Sequence, residues 1–239
     1  MIENGKRFWS SMARRSFLTR LGVGAGALGA ISVGSNAPAA SGAASEDAIW
    51  RPARHEQDDW YDKVPGQHRF VFDTTTPDGM ALALRFSRNY YTANQASYGL
   101  KESDLAVVIV ARHKSTSFGY NDTIWAKYGK PLSEQAEFVD PKTKQPPTIN
   151  VYAAAPTAGD TSETAGAMSD LIKKGAQFAV CQMATRAISG RVARATSGDA
   201  NAIFKEIAAN LIPNARFVPA GIVAVNRAQE RGYSFVYAI

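Results

Sequence analysis

Cys181 is the only cysteine in a chain of 239 residues. It stands in GAQFAVCQMATRAISGRVARA, Gly175 to Ala195, where a short apolar run gives way to a helical pattern. A thiol attacks as its thiolate, so its use depends on whether the surroundings favour negative charge. A helix opening just beyond Cys181 turns its unpaired amide N–H groups back toward the sulfur and favours that charge. No acidic residue lies between Asp170 and Asp199, whereas Lys173, Lys174, Arg186, Arg191 and Arg194 all fall in or beside that stretch. Arg186, early in the helix, is the candidate partner for a thiolate. His113, at the end of another apolar run, is the candidate for proton transfer. A positive field also attracts anionic sulfur species such as thiosulfate, sulfide or a persulfide. Two roles stay open for Cys181: a working nucleophile and carrier, or a small apolar side chain packed beside Ala179, Val180 and Met183.

Other chemistries find less support. One cysteine cannot make an internal disulfide, and His55, His68 and His113 lie too far apart to give metal-ligand spacing, so neither a metal nor a cofactor is expected. Gly24-Ala25-Gly26-Ala27-Leu28-Gly29 fits a dinucleotide fingerprint, but no strand pattern precedes it and no βαβ unit contains it. The net charge of +6 resides largely in the first 39 residues, where Lys6, Arg7, Arg14, Arg15 and Arg20 face Glu3 alone. The remaining body carries 22 basic and 20 acidic residues, which removes the electrostatic case for nucleic acid. Those first residues have the parts of an export signal: a basic start, the apolar run Leu21 to Val33, and a small-residue stretch around Ala37-Pro38-Ala39. The core Ala13-Arg14-Arg15-Ser16-Phe17-Leu18 resembles the twin-arginine signal of bacterial export. The expectation is a periplasmic protein that meets the membrane only during export.

The elements that must position Cys181 follow from the rest of the chain. Residues 40–66 read as a polar arm tied down by Trp50, Trp60 and Tyr61. Strand patterns cover His68 to Thr74, Asp104 to His113, Ala176 to Cys181, Ala215 to Ala220 and Tyr233 to Ile239. Helical patterns separate them: one capped by Thr76 with Pro77 at its first position and Leu82, Phe86 and Tyr90 as its stripe, and others capped by Ser162 and Asp199. Prolines 131, 141, 146, 147 and 156 make 129–160 read as an irregular insertion. Five alternations predict an α/β fold, a mostly parallel five-stranded sheet with helices on both faces. Ligands of such sheets bind beyond the carboxyl ends of the strands, where Asp73, His113, Cys181 and Pro219-Ala220-Gly221 fall. Tyr120, Asn121 and Asp122 are further candidates for that mouth.

LIKKGAQFAVCQMA, Leu171 to Ala184, and VPAGIVAVNRAQERGYSFV, Val218 to Val236, together with LAVVIVARH, Leu105 to His113, give the chain from about Arg69 onward a resemblance to the DsrE/DsrF-like family. That resemblance implies a layered α/β domain over 67–239, assembly into homo-oligomers, and a cysteine that carries sulfur as a persulfide, here Cys181. The partner it implies is a sulfane-sulfur donor. The alternative is an oligomeric, non-catalytic module of the same fold that holds a small anionic ligand.

Overall fold

The computed structural model describes residues 51–156 and 164–239, so the basic leader and the candidate cap Ser162 lie outside the described residues. Five strands form one sheet: β1 His68–Thr74, β2 Leu105–Ala111, β3 Gln177–Cys181, β4 Ala215–Val218 and β5 Ser234–Ala238. All pairings are parallel, in the order β4-β3-β2-β1-β5. The α/β expectation is met. Every residue of β2 is buried, as a central strand covered on both faces requires.

The helices are α1 Trp60–Lys63, α2 Pro77–Tyr98, α3 Asp122–Ala136, α4 Ala167–Lys173, α5 Gln182–Thr196, α6 Ala200–Ala208 and α7 Gly221–Gln229. Two of their starts show the capping chemistry expected of them, whereas α4 begins after Gly166 with no side-chain cap. Thr76 and Asp199 accept N–H groups from Gly79 and Ala202 at 2.9 and 2.7 Å. Strands β1 to β4 are laid down in one direction, with α2 to α6 covering one face, whereas the return from β4 to β5 crosses back over the whole sheet. Right-handed crossovers place that return helix, α7, on the opposite face.

Two cores result. Face one buries Met80, Leu84 and Tyr91 of α2, Trp125 and Leu132 of α3, Met168 of α4 and Ile188 of α5 against Phe72, Ile109 and Phe178. Face two is thinner: Trp60, Tyr61, Ala224, Val225 and Ala228 cover Val71, Val108, Val110 and Ala179. Of the three aromatics expected to tie the arm down, Trp60 and Tyr61 pack onto the sheet and Trp50 lies outside the described residues. The Arg216 guanidinium lies 4.5 Å from the Trp60 ring centroid, and the Tyr61 hydroxyl donates to Ala224 O at 2.8 Å.

Two sequence readings shift. The stripe Leu82, Phe86 and Tyr90 is not the innermost face of α2; Met80, Ala83, Leu84, Ser87 and Tyr91 are, and Phe86 stays 39% exposed. Spacing four fitted both faces, and register against the sheet chose the other. The segment from Gly129 is not irregular at its start, because α3 runs on to Ala136 through Pro131. Tyr128 leaves helical geometry at φ −123°, ψ 18°, so Pro131 sits in the first turn after a kink, where its missing N–H breaks no hydrogen bond.

Candidate functional site

Helix α5 leaves the end of β3 toward face one, while α7 leaves the neighbouring β4 toward face two. Adjacent strands whose connections part to opposite faces open a crevice between them, the topological switch point of a parallel sheet. Cys181 is the last residue of β3, and Pro219-Ala220-Gly221 leads from β4 into α7, so both lie at that crevice. The amide of Met183 donates to Pro219 O at 3.3 Å and ties the two connections together.

The sulfur itself caps α5: the Ala184 amide donates to Cys181 Sγ at 3.4 Å. Cys181 is 7% exposed, largely buried yet at the rim of the sheet. Its carbonyl accepts from Thr185 Oγ1 at 3.0 Å, and Thr185 Oγ1 accepts in turn from the buried Tyr120 hydroxyl at 2.9 Å. This polar strut fixes the strand end that presents the thiol. Burial pushes the Tyr120 phenol well above its ordinary range, against the smaller opposite pull of its hydrogen bond to Thr185.

Strand register brings a second group to the same place. Val110 pairs with Ala179 and Ala111 with Val180, so Arg112 and Cys181 are the next residues in line on β2 and β3. Val110 and Ala179 both belong to the face-two core, and strand alternation sends Arg112 and Cys181 to that face as well. Asp73 stands level with Val110 on one side and Tyr237 on the other, two residues back from that pair and on the same face. Arg112 Nε and Nη2 donate to the two carboxylate oxygens of Asp73, each at 2.7 Å, a bidentate pair in which Asp73 is almost wholly buried. That hydrogen bonding raises the Arg112 pKa, burial opposes it, and the Asp73 charge adds to the rise. The Tyr237 ring centroid is 6.0 Å from the guanidinium carbon, and its hydroxyl bonds Thr75 at 2.8 Å.

Gly221 holds this arrangement closed from above. A Cβ there would lie 2.5 Å from Arg112 Cβ and 2.7 Å from its Cδ, so only glycine lets α7 begin against the arginine stem. The N-cap of α7, Ala220, offers no side-chain bond, which leaves its first amides without that partner at the crevice. Met183 and Ile222, both exposed, stand at the two helix starts.

The other candidates go elsewhere. The Arg186 guanidinium stacks over Phe204 of α6, 4.1 Å from its ring centroid. Lys173 pairs with Asp170, and Lys174 with Glu102. His113 is exposed at φ 58°, opening a 3-10 turn over His113–Gly119. It lines a groove with Glu134, Glu137, Ala184 and Arg191. Asn121 caps α3 through the Thr123 amide, and Asp122 accepts the Asn150 amide at 2.8 Å. His55 and His68 are exposed. Among the described residues no group of three His, Cys, Asp or Glu side chains could hold a metal ion, and no helix is long and apolar enough to cross a membrane.

Arg112 is the residue that sequence reasoning passed over. Its signal was present, as the first charged residue after an unbroken apolar strand, but only the β2–β3 register shows that it stands beside Cys181.

No family model and no curated protein matches the chain. Among solved structures it is similar to a protein of unknown function from Methanobacterium thermoautotrophicum. The likeness has 15% identity and a TM-score of 0.36, and covers 72% of this chain and 99% of that one.

Proposed function

We propose that this protein carries sulfane sulfur on Cys181, as a DsrE-like relay or sulfurtransferase-type protein. The observation that carries the reading is the placement of the sulfur: at a topological switch point, accepting the Ala184 amide and standing next in register to Arg112. A purely packing cysteine needs none of these. In the first step the Cys181 thiolate attacks the sulfane sulfur of thiosulfate. A new S–S bond forms, the donor's S–S bond breaks, and sulfite leaves with the bonding pair, so the charge is conserved and Cys181 holds a persulfide anion. In the second step an acceptor thiolate attacks the outer sulfur and releases Cys181 as thiolate. Helix-start amides stabilise the anionic sulfur at each stage. A thiolate-to-thiolate exchange needs no proton transfer, so no step is assigned to His113. The Arg14-Arg15 leader supports an exported, periplasmic setting, and the DsrE resemblance supports a homo-oligomer.

The test is incubation of the native protein with thiosulfate, followed by mass analysis of the peptide containing Cys181. A gain of one sulfur atom, reversed by a small thiol and absent in Cys181→Ser, is expected. No gain in the wild type overturns the reading. A second reading, a non-catalytic module binding a small anion, draws on the α7 start, whose N-cap residue supplies no side-chain bond. It predicts anion binding that survives Cys181→Ala.

A further inference from the structure

The edge strands of a sheet offer hydrogen-bonding groups to another chain, and natural proteins blunt them with charge, proline, shortness or cover. The two edges of this sheet are treated differently. Strand β4 has four residues between Pro213 and Pro219, holds Arg216 against Trp60, and stacks Phe217 on Phe204. Strand β5 has neither charge nor proline, and beyond its pairing with β1 its backbone makes no hydrogen bond among the described residues. Its outward N–H and C=O groups are an open template.

The side chains that β5 sends to face two are apolar as well. Phe235 pairs in register with Val71 of the face-two core, and strand alternation puts Tyr237 and Ile239 on the same side. Helix α7 begins against the Arg112 stem, whose guanidinium carbon lies 6.0 Å from the Tyr237 ring centroid, so Ile222 and Val223 in its first turn adjoin this stripe. Five of the ten large apolar side chains exposed among the described residues therefore gather at one corner of the molecule. They are between 37% and 64% exposed, which for side chains of about 150–250 Å² leaves on the order of 500 Å² of apolar surface in water. That is near the upper end of what a lone soluble chain carries in one patch.

We propose that β5 and this patch are the interface with a second copy of the chain, the two β5 strands pairing antiparallel across a two-fold axis at Val236 so that the two sheets become one. In that register Phe235 of each copy faces Tyr237 of the other, a cross-strand aromatic pair made twice. An axis normal to the sheet keeps both face-two patches on the same side, where they merge. Two copies together remove roughly 1,000 Å² of apolar surface, about the least that a specific interface needs, before the strand backbones are counted. A partner that satisfies the open edge must also bring apolar side chains to face two, and the chain's own β5 does both. The proposal rests on the homo-oligomer reading above and names the surface that makes it.

Phe235→Asp puts a carboxylate into the stripe. Ile222→Asp puts one at the second position of α7, where the helix start favours it and the fold is not at risk. Val139→Asp, at an exposed apolar side chain in the loop after α3, is the charge control. Sedimentation of the full chain over a range of concentrations reads the dissociation constant of the dimer. The expected result is a wild-type dimer whose dissociation constant rises at least about tenfold in Phe235→Asp and in Ile222→Asp and is unchanged in Val139→Asp. An unchanged constant in either stripe variant, with circular dichroism that matches the wild type, overturns the proposal. A wild-type assembly with an odd number of copies also overturns it and leaves the homo-oligomer reading standing, whereas a wild type that stays monomeric at every concentration overturns both.

Discussion

The two faces of the sheet are covered very unequally. Face one lies beneath α2 to α6 and buries Trp125, Phe118, Phe178, Met80 and Leu132 completely. Face two has only the arm and α7, and leaves Phe235 and Tyr237 of edge strand β5 40% and 47% exposed. Stability is concentrated on the first face, and the candidate chemistry emerges on the second. The division follows from topology. Four strands added in one direction stack their crossovers on one side, and the single return crossover is all that remains to cover the other. Where the two kinds of crossover part company, between β3 and β4, the sheet cannot be capped by either helix, and Cys181 occupies that gap.

The comparison is broken most forcefully by truncating one aromatic on each face. Phe178→Ala opens a cavity in the covered core and is expected to cost about 3–5 kcal/mol, whereas Phe235→Ala on the open face is expected to cost less than about 1 kcal/mol. Chemical denaturation of both variants checks this. Equal losses would mean that face two carries as much of the fold as face one.

A smaller effect on stability, with a larger one on chemistry, is expected at the crevice. Gly221→Ala drives a methyl group into the Arg112 stem and should cost about 1–3 kcal/mol through local displacement. It should also change the rate at which iodoacetamide alkylates Cys181, because the α7 start and the Arg112 stem border the strand end that presents the thiol. Thermal melting and that rate, taken on one sample, separate the effects. A variant with the wild-type rate would show that the Gly221 contact does not shape the surroundings of the thiol.

The smallest effect lies on the outer surface of face one. Glu206 accepts from Lys127 Nζ at 2.7 Å and from the Tyr128 hydroxyl at 2.7 Å, and these bonds hold its carboxyl below the usual range. A carboxylate whose folded pKa is depressed stabilises the fold above its ordinary value of 4.5, and that contribution is lost as pH falls through the folded pKa. Glu206→Gln should therefore lower the melting temperature by no more than about 2 °C at pH 7, as expected of an exposed ion pair. The gap to wild type should close in acid. A gap that widens toward low pH would reverse the assigned sign.

Much of this frame is legible in the sequence. The all-apolar run Leu105 to Ala111 declares a central parallel strand, Thr76-Pro77 declares a helix start, and the step from strand to helix pattern at Cys181 places the thiol at a strand end. What one-dimensional spacing cannot carry is register. Leu82, Phe86 and Tyr90 form as regular a stripe as the one that is buried, and only packing decides between them. Arg186 is five residues from Cys181 along the chain yet spends its charge on Phe204, while Arg112, 69 residues away, is next in line across the sheet. The Pro131 signal misleads for a related reason, since a kink at Tyr128 gives the proline a helix start of its own.

The central claim is that the Cys181 sulfur is reachable from the rim of the native sheet. Its most direct test is the rate at which a small neutral disulfide reagent titrates the thiol of the folded protein, followed across increasing reagent concentration. The account predicts a native-state rate that rises in proportion to reagent. A rate that levels off at the rate of unfolding, with full reactivity only in denaturant, would contradict it and return Cys181 to the core.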